Sequence, residues 1–301
     1  MATRRFTLAA AAALAASSLL LATVQTSWSA APAAPAAPAA PRGGGPGGGP
    51  GAPRFRAAPP GPPAPVPPEV AIPRPSADEL KQMNDELARL IAADTSPAKP
   101  LFDKYQSLIT IPAPRPNIAA TYTQTAQRRG ARHEGFVERA KQGGIDLLLE
   151  GDSITDWWTQ DADKKAMFQK YFGQYGDKVA NFAIAGDTTQ GNLWGLKNGE
   201  GQGFSPKAVM LMIGTNNMGD NTAPEIAEGV GAVVLELRND FPNAKILLLA
   251  IFPRSTPNDP IRQKIAETNQ IISKLNDNQH VFYMDIGPKF LDADGTLIQG
   301  S

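Results

Sequence analysis

Five short apolar runs, separated by segments with helical spacing, dominate the chain from residue 145 onward. The runs cover residues 145–149, 179–184, 208–213, 246–252 and 281–286. Near-continuous apolar runs of this length are typical of strands that are buried on both faces of a parallel sheet. Because helical patterns separate them, the connections should be right-handed crossovers. The sequence therefore predicts an α/β domain with a five-stranded parallel sheet and helices on both faces.

Cap signals mark the starts of three helices. A Ser or Thr followed three residues later by Glu is a capping box, and Asp before Pro is a helix start with proline in the first turn. Apolar spacing predicts further helices near residues 131–142 and 161–172. The cap signals are Ser76 with Glu79, Thr222 with Glu225, and Asp259 with Pro260.

The first 29 residues have the pattern of a secretory signal. Arg4 and Arg5 precede an uncharged stretch rich in Ala and Leu, which ends in small residues around Ala30. A positively charged N-terminal region, an apolar central region and a cleavage site with small residues are typical of a cleaved signal peptide. The apolar stretch is long enough that an uncleaved membrane anchor is the alternative. We expect cleavage and export, with no membrane span in the mature protein.

Residues 30–75 consist almost entirely of Ala, Pro and Gly. Such a segment buries too little apolar area to offset its ordering entropy, so we expect a disordered spacer. It would serve as a tether to a cell surface or simply as a solvated tail. The folded domain is then expected over residues 76–301, with 76–130 as an N-terminal extension.

The composition restricts the classes of partner and of stabilisation. The chain has 29 Lys and Arg against 29 Asp and Glu, so nothing indicates a nucleic-acid partner. It has no cysteine. An exported domain of this kind must be held together by its apolar core rather than by disulfides.

Polar turns follow three of the predicted strands. They are Gly151-Asp152-Ser153, Gly186-Asp187 and the segment 214–217, Gly-Thr-Asn-Asn. Ligands of open α/β sheets bind at the carboxyl ends of the strands, where these turns should meet. A serine that attacks an ester needs donors aimed at the developing oxyanion, and backbone N–H groups and an asparagine amide can supply them. The alternative for each turn alone is ordinary turn and cap chemistry.

Four motifs together resemble those of the SGNH (GDSL-type) hydrolases. The resemblance lies within the branch similar to the platelet-activating-factor acetylhydrolase catalytic subunits. The resemblance covers roughly residues 132–296, and the ordered run of motifs makes it specific. The matching segments are LLLEGDSIT, NFAIAGDTTQGNLWGLKNGE, SPKAVMLMIGTNN and AKILLLAIFPR.

The resemblance implies a three-layer α/β/α, flavodoxin-like domain and a set of site residues. Ser153 would be the nucleophile, and the oxyanion donors would be the Ser153 N–H, the Gly186 N–H and the Asn216 side chain. Asp152 and Asp187 would support them within the same motifs. No metal ion or organic cofactor is implied, and the substrate would be a small acyl ester.

One family motif is missing. The family carries an Asp-x-x-His segment and a helix after the last strand, whereas this chain reads FLDADGTLIQGS up to Ser301 and has no histidine after His280. Serine without a base is a poor nucleophile at neutral pH, so we expect impaired activity. We also expect apolar side chains to be exposed on the sheet face that the helix would cover.

Two histidines are available as a substitute base. His280 precedes the last predicted strand, whereas the site lies at the other end of the strands. Six residues of strand put His280 ~20 Å from the site, so it is rejected as the base. His133 lies near the start of the helix that leads into the Ser153 strand, level with the site. A packing or capping role for His133 is nevertheless favoured over catalysis.

Three further residues are expected near the predicted site. Trp157 and Trp158 could line an acyl pocket, but adjacent residues on a helix face different ways, so at least one should serve packing. Arg254, after the fourth strand, could meet an anionic substrate group, although pairing with a carboxylate is favoured.

The sequence thus predicts an exported serine ester hydrolase that acts on small acyl esters, such as acetyl groups on carbohydrate or lipid. The alternative is an inactive or truncated domain of the same fold that serves as a binding module. A purely structural surface protein is less well supported, because it does not account for three polar strand ends in one sheet.

Overall fold

The computed structural model describes residues 59–298. The predicted signal segment and the spacer up to residue 58 lie outside this range. All five strands are parallel and follow the order β2-β1-β3-β4-β5. The predicted five-stranded parallel sheet is therefore confirmed. The strands are β1 Leu147–Gly151, β2 Val179–Asn181, β3 Ala208–Met212, β4 Lys245–Leu249 and β5 Val281–Met284.

Eight α-helices connect or precede these strands in the described part of the chain, and all three cap signals begin a helix. Both capping boxes form, and Asp259 accepts a hydrogen bond from the Ile261 N–H at 2.9 Å. No helix within residues 59–298 is long and apolar enough to cross a membrane. The helices are α1 Ala77–Ala93, α2 Lys99–Lys104, α3 Ala131–Lys141, α4 Ser153–Gln160, α5 Ala162–Phe172, α6 Thr189–Gly195, α7 Ala223–Asp240 and α8 Pro260–Ile272.

Alternate residues of each strand face opposite sides of the sheet, and the larger core lies on one side. There Leu148, Leu211 and Leu248 pack beneath α7 and α8. The helix α7 is central to this layer, with Val230 and Val233 fully buried. Each such side chain stabilises the fold by roughly 1.5–3 kcal/mol relative to exposure.

The other face of the sheet is only partly covered. Its cluster of Leu149, Met210, Met212 and Leu249 packs against α4 and α5. On β5, at the edge of the sheet, Phe282 is 36% exposed and Met284 is 48% exposed. The expected exposure of apolar side chains on one sheet face is therefore present in the structure.

Residues 59–75 pack on the domain through contacts with α7, whereas their composition predicted a disordered spacer. Val70 is buried against α7, where the absence of a side chain at Gly231 makes room for it. Arg74 donates two hydrogen bonds to the Glu228 carboxylate, at 2.6 and 2.7 Å. Because prolines leave little backbone entropy to lose, a few such contacts suffice to order this segment.

The helix α1 begins where the sequence predicts but buries less than its apolar spacing indicates. Only Ile91 is buried, whereas Met83 and Leu90 of the same predicted face are exposed. Amphipathic spacing shows which face would be buried, but it does not show whether a neighbouring element is present.

Candidate active site

Ser153 lies at the junction between β1 and α4. Gly151 ends the strand, and a Cβ at this position would lie 2.4 Å from the Met212 carbonyl oxygen of β3, so glycine is needed here. Asp152 then caps α4, because its side chain accepts a hydrogen bond from the Ile154 N–H at 3.1 Å. Ser153 is consequently the first residue of the helix and is half-buried.

The surroundings of Ser153 suit a developing negative charge. Its N–H belongs to the first turn of α4, whose N–H groups have no acceptor within the helix. The positive end of the helix dipole points to the same place. Among the described residues, no side chain forms a hydrogen bond with the Ser153 hydroxyl. Ser153 therefore lies at the positive end of a helix, where a nearby negative charge is stabilised.

Gly186 lies in the turn that follows β2, next to α4. Its φ of 79° is a left-handed conformation that favours glycine. The residue before it is tied to the helix, since the Ala185 N–H donates to the Asp156 carboxylate at 2.8 Å. The N–H of Ile184, two residues before Gly186, donates to the Gly151 carbonyl at 3.3 Å. These bonds hold the Gly186 turn beside the strand and helix that flank Ser153.

Asn216 lies in the turn after β3 and is joined to the Gly186 turn. Its Nδ2 donates to the backbone carbonyl of Asp187 at 2.7 Å, which leaves the second N–H of the amide for another acceptor. Asn217 has a different role. It is buried, and it accepts a hydrogen bond from the Thr189 N–H at 3.1 Å.

The three predicted motifs thus lie on neighbouring strands. β1, which leads to Ser153, lies between β2, which leads to Gly186, and β3, which leads to Asn216. The hydrogen bond between Asn216 and Asp187 joins the two outer turns directly. The roles of nucleophile and oxyanion donors stay predictions.

Asp152 is a buried carboxyl group beside Ser153. It has no exposed surface, and its Oδ2 has no hydrogen-bond partner within the described chain. The pKa of Asp152 is raised to about 7, chiefly by burial and also by the nearby charge of Asp187, while the Ile154 N–H and the positive charge of Arg254 oppose the shift. Arg254 forms no ion pair with a carboxylate within residues 59–298, so the pairing that the sequence favoured stays a prediction.

Asp152→Asn is expected to make stability less dependent on pH. A folded-state pKa raised to about 7 means that the group stabilises the fold below about pH 4, and that this contribution is lost as the pH rises through 7. The free energy of unfolding of the original chain should therefore fall, relative to the variant, by on the order of 2–4 kcal/mol between pH 4 and 8. Asparagine retains the oxygen that caps α4. Urea unfolding at several pH values measures this difference, and parallel stability curves for the two proteins would contradict it.

Behind the Gly186 turn lies a buried ionic cluster that sequence reasoning missed. Arg128 is fully buried and pairs with three buried carboxylates, those of Asp187, Glu200 and Glu150. Burial raises the pKa of Glu150 to about 8, although Arg128 opposes the shift. One signal could have revealed the cluster: Glu150 stands inside an apolar strand, and a buried carboxyl group needs a partner.

His133 belongs to the edge of this cluster. Its Nδ1 lies 2.6 Å from the Glu200 carboxylate, and its ring packs against Trp194 with 4.7 Å between ring centroids. No hydrogen bond joins it to Ser153 among the described residues. His280 lies at the start of β5, where its carbonyl accepts from the Ile246 N–H, at the end of the sheet away from Ser153. Among residues 59–298, His133 therefore has a hydrogen-bonding partner in Glu200 and a packing partner in Trp194, but no hydrogen bond to Ser153.

The adjacent tryptophans of α4 face different ways. Trp157 is 47% exposed, with the Lys164 ammonium 4.7 Å from its ring centroid. Trp158 packs into the cluster beneath the sheet. A groove of about 340 Å³ runs between Trp158 and the apolar side of α5.

Several known proteins are similar to this chain. The model of the GDSL-like Lipase/Acylhydrolase family matches residues 150–301. The chain is similar to platelet-activating factor acetylhydrolase IB subunit alpha2 of Gallus gallus, with 35% identity over 180 residues, which cover 60% of this chain and 76% of that protein. It is also similar to subunit alpha1 of Bos taurus, with 31% identity over 166 residues, 55% of this chain and 68% of that one. The lipase/acylhydrolase from Enterococcus faecalis superimposes with a TM-score of 0.38 and 21% identity, over 52% of this chain and 88% of that one.

Proposed function

The chain belongs to the GDSL-like lipase/acylhydrolase family, and we propose that it is a serine ester hydrolase for small acyl esters. Ser153 occupies the place of the nucleophile, and activity is impaired because this sequence carries no Asp-x-x-His segment after its last strand. Acetyl is the acyl group that we propose, because the similar proteins are named acetylhydrolases. The alcohol would be a carbohydrate or a lipid. We further propose export, on the strength of the N-terminal signal pattern.

One observation carries the proposal. Ser153 begins a helix at the end of the middle one of three strands, and the turns of the two flanking strands are joined by the bond between Asn216 and Asp187. Attack on an ester carbonyl places a negative charge on its oxygen. Two backbone N–H groups and an asparagine amide at one edge of the sheet are the donors that such an oxygen needs.

We propose that the oxyanion donors of this chain act without a general base. Serine attack requires a group that takes the hydroxyl proton, and neither histidine of this chain forms a hydrogen bond with Ser153 within the described residues. We therefore propose that catalysis by this chain comes from the oxyanion donors and from binding. A binding module of the same fold is the second candidate, since the Ser153 hydroxyl lacks an activating partner.

The 301-residue chain is expected to hydrolyse an activated aryl acetate slowly and with saturation. In serine hydrolases that lack a member of the triad, the oxyanion hole and binding retain roughly 10³–10⁴-fold acceleration over water. Ser153→Ala should change this residual rate little, because water then serves as the nucleophile in both proteins. Release of the aryl alcohol, followed by absorbance, measures the rate.

Two outcomes would contradict this account. A rate equal to that of buffer would leave the binding module as the better proposal. A fast hydrolysis that Ser153→Ala abolishes would mean that the chain holds a base, and loss of that activity in His133→Ala would then identify it.

A further inference from the structure

Asp187 connects the two turns that carry the proposed oxyanion donors. Its backbone follows Gly186 directly, and its carbonyl accepts the hydrogen bond from Asn216 Nδ2 at 2.7 Å. Its carboxylate points away from these bonds, into the buried cluster, where Arg128 Nε donates to Oδ2 at 2.8 Å. A contact that fixes the position of the Asp187 side chain therefore also restrains the Gly186 turn and the Asn216 turn.

Arg128 is itself held rigidly. Its Nη1 donates to Glu200, and its Nη2 lies 3.4 Å from the Glu150 carboxylate on β1. A guanidinium is planar and presents its donors in a fixed arrangement, so three carboxylates from three elements define its position. The residue before it, Gln127, lies against the Gly186 turn, since a Cβ at Gly186 would be 3.4 Å from Gln127 Nε2.

The helix α6 leaves the cluster no room to shift. Two glycines four residues apart, Gly191 and Gly195, face the cluster on the same side of the helix. A Cβ at Gly191 would lie 2.1 Å from Asp187 Oδ1, and one at Gly195 would lie 2.9 Å from Arg128 Nη1. The carboxylate and the guanidinium thus pack directly against the helix, which limits the positions that Asp187 can adopt.

We propose that Arg128 is a positioning residue of the oxyanion hole, which acts through Asp187 on Gly186 and Asn216. The inference rests on the proposed function, because it assigns Arg128 a role in the same site. Oxyanion donors must be held within about 0.5 Å of their productive positions. A turn whose only support were its own backbone would not meet that requirement, whereas a turn bonded to a rigid guanidinium does.

The test compares turnover of an aryl acetate in the full chain and in three variants. Arg128→Lys keeps the positive charge but loses the planar guanidinium with its several N–H donors. Asp187→Asn keeps the shape of the side chain but loses the negative charge that pairs with Arg128. Both are expected to lower kcat roughly 10–100-fold and to change KM less than about threefold, because a small misplacement costs up to about 10²-fold in rate. Arg74→Lys is the matched control. Arg74 also donates two hydrogen bonds to a buried carboxylate, that of Glu228, but it forms no hydrogen bond with either turn, so the kcat of this variant should stay within about twofold.

A second measurement separates positioning from a loss of stability. Asn216→Ala removes one donor, and combining it with Asp187→Asn should lower kcat no further than the larger of the two single effects. Additive losses, or an unchanged kcat in both Arg128→Lys and Asp187→Asn, would overturn the inference. Since Asp187→Asn is nearly isosteric, it decides the question even if Arg128→Lys does not fold. If Asn216→Ala itself left the rate unchanged, the proposed function would fail, and the inference with it.

Discussion

Asn216→Ala is expected to lower the rate of aryl acetate hydrolysis by roughly 10²–10³-fold, which is the effect of removing one side-chain donor from an oxyanion hole. The Asn216 amide is already oriented by its 2.7 Å hydrogen bond to the Asp187 carbonyl. Its second N–H therefore needs no reorganisation when the negative charge forms. KM should change little, because the interaction strengthens only as the charge develops.

Asn198→Ala provides a matched control for this prediction. Asn198 also donates from Nδ2 to a backbone carbonyl at 2.7 Å, in this case that of Trp194, but it is exposed and follows α6. Its removal should leave the rate within about twofold, as is usual for exposed sites with no role in the chemistry. Equal losses in the two variants would mean that Asn216 is not an oxyanion donor.

The layers of the fold followed from the sequence, whereas the exact extent of each strand did not. The apolar run at residues 179–184 predicted a strand of six residues, and the structure has three, Val179–Asn181. The remaining residues stay beside β1, and the Ile184 N–H still bonds to the Gly151 carbonyl, but the chain there is already turning toward Gly186. Periodicity records burial, and a buried turn at the end of a strand has the same apolar pattern as the strand itself.

The candidate site was predictable in part. Short motifs placed Ser153, Gly186 and Asn216 at the ends of strands, and parallel strands bring their carboxyl ends to one edge of a sheet. The cluster of Arg128 was not predictable in this way. Arg128 is separated by 22, 59 and 72 residues from Glu150, Asp187 and Glu200. Contacts between residues so far apart depend on the completed fold, so neither spacing nor propensity indicates them.

The same reason accounts for residues 59–75. Their composition indicates a segment that cannot form a core of its own, which is true of the segment in isolation. In the folded chain Val70 and Arg74 find partners on α7, more than 150 residues away. A proline-rich segment can therefore be ordered when another element supplies the surface that it packs on.

An Asp-x-x-His segment followed by an amphipathic helix, joined after Thr296, is expected to raise both the rate and the melting temperature. A positioned base typically contributes about 10²–10⁴-fold, so hydrolysis should become faster by that factor and should depend on Ser153. The helix should cover the sheet face on which Phe282 and Met284 are 36% and 48% exposed. Burial of apolar surface stabilises by roughly 25 cal/mol per Å².

The two effects of the added segment can be separated by one control. The same segment with alanine in place of its histidine should raise the melting temperature as much but leave the rate near that of the 301-residue chain. Ser153→Ala, made in the extended chain, should return the rate to the residual level that the oxyanion donors maintain. A rise in melting temperature with no gain in rate from the intact segment would show that the hydroxyl of Ser153 is not the nucleophile, since a base at that edge would then have nothing to activate.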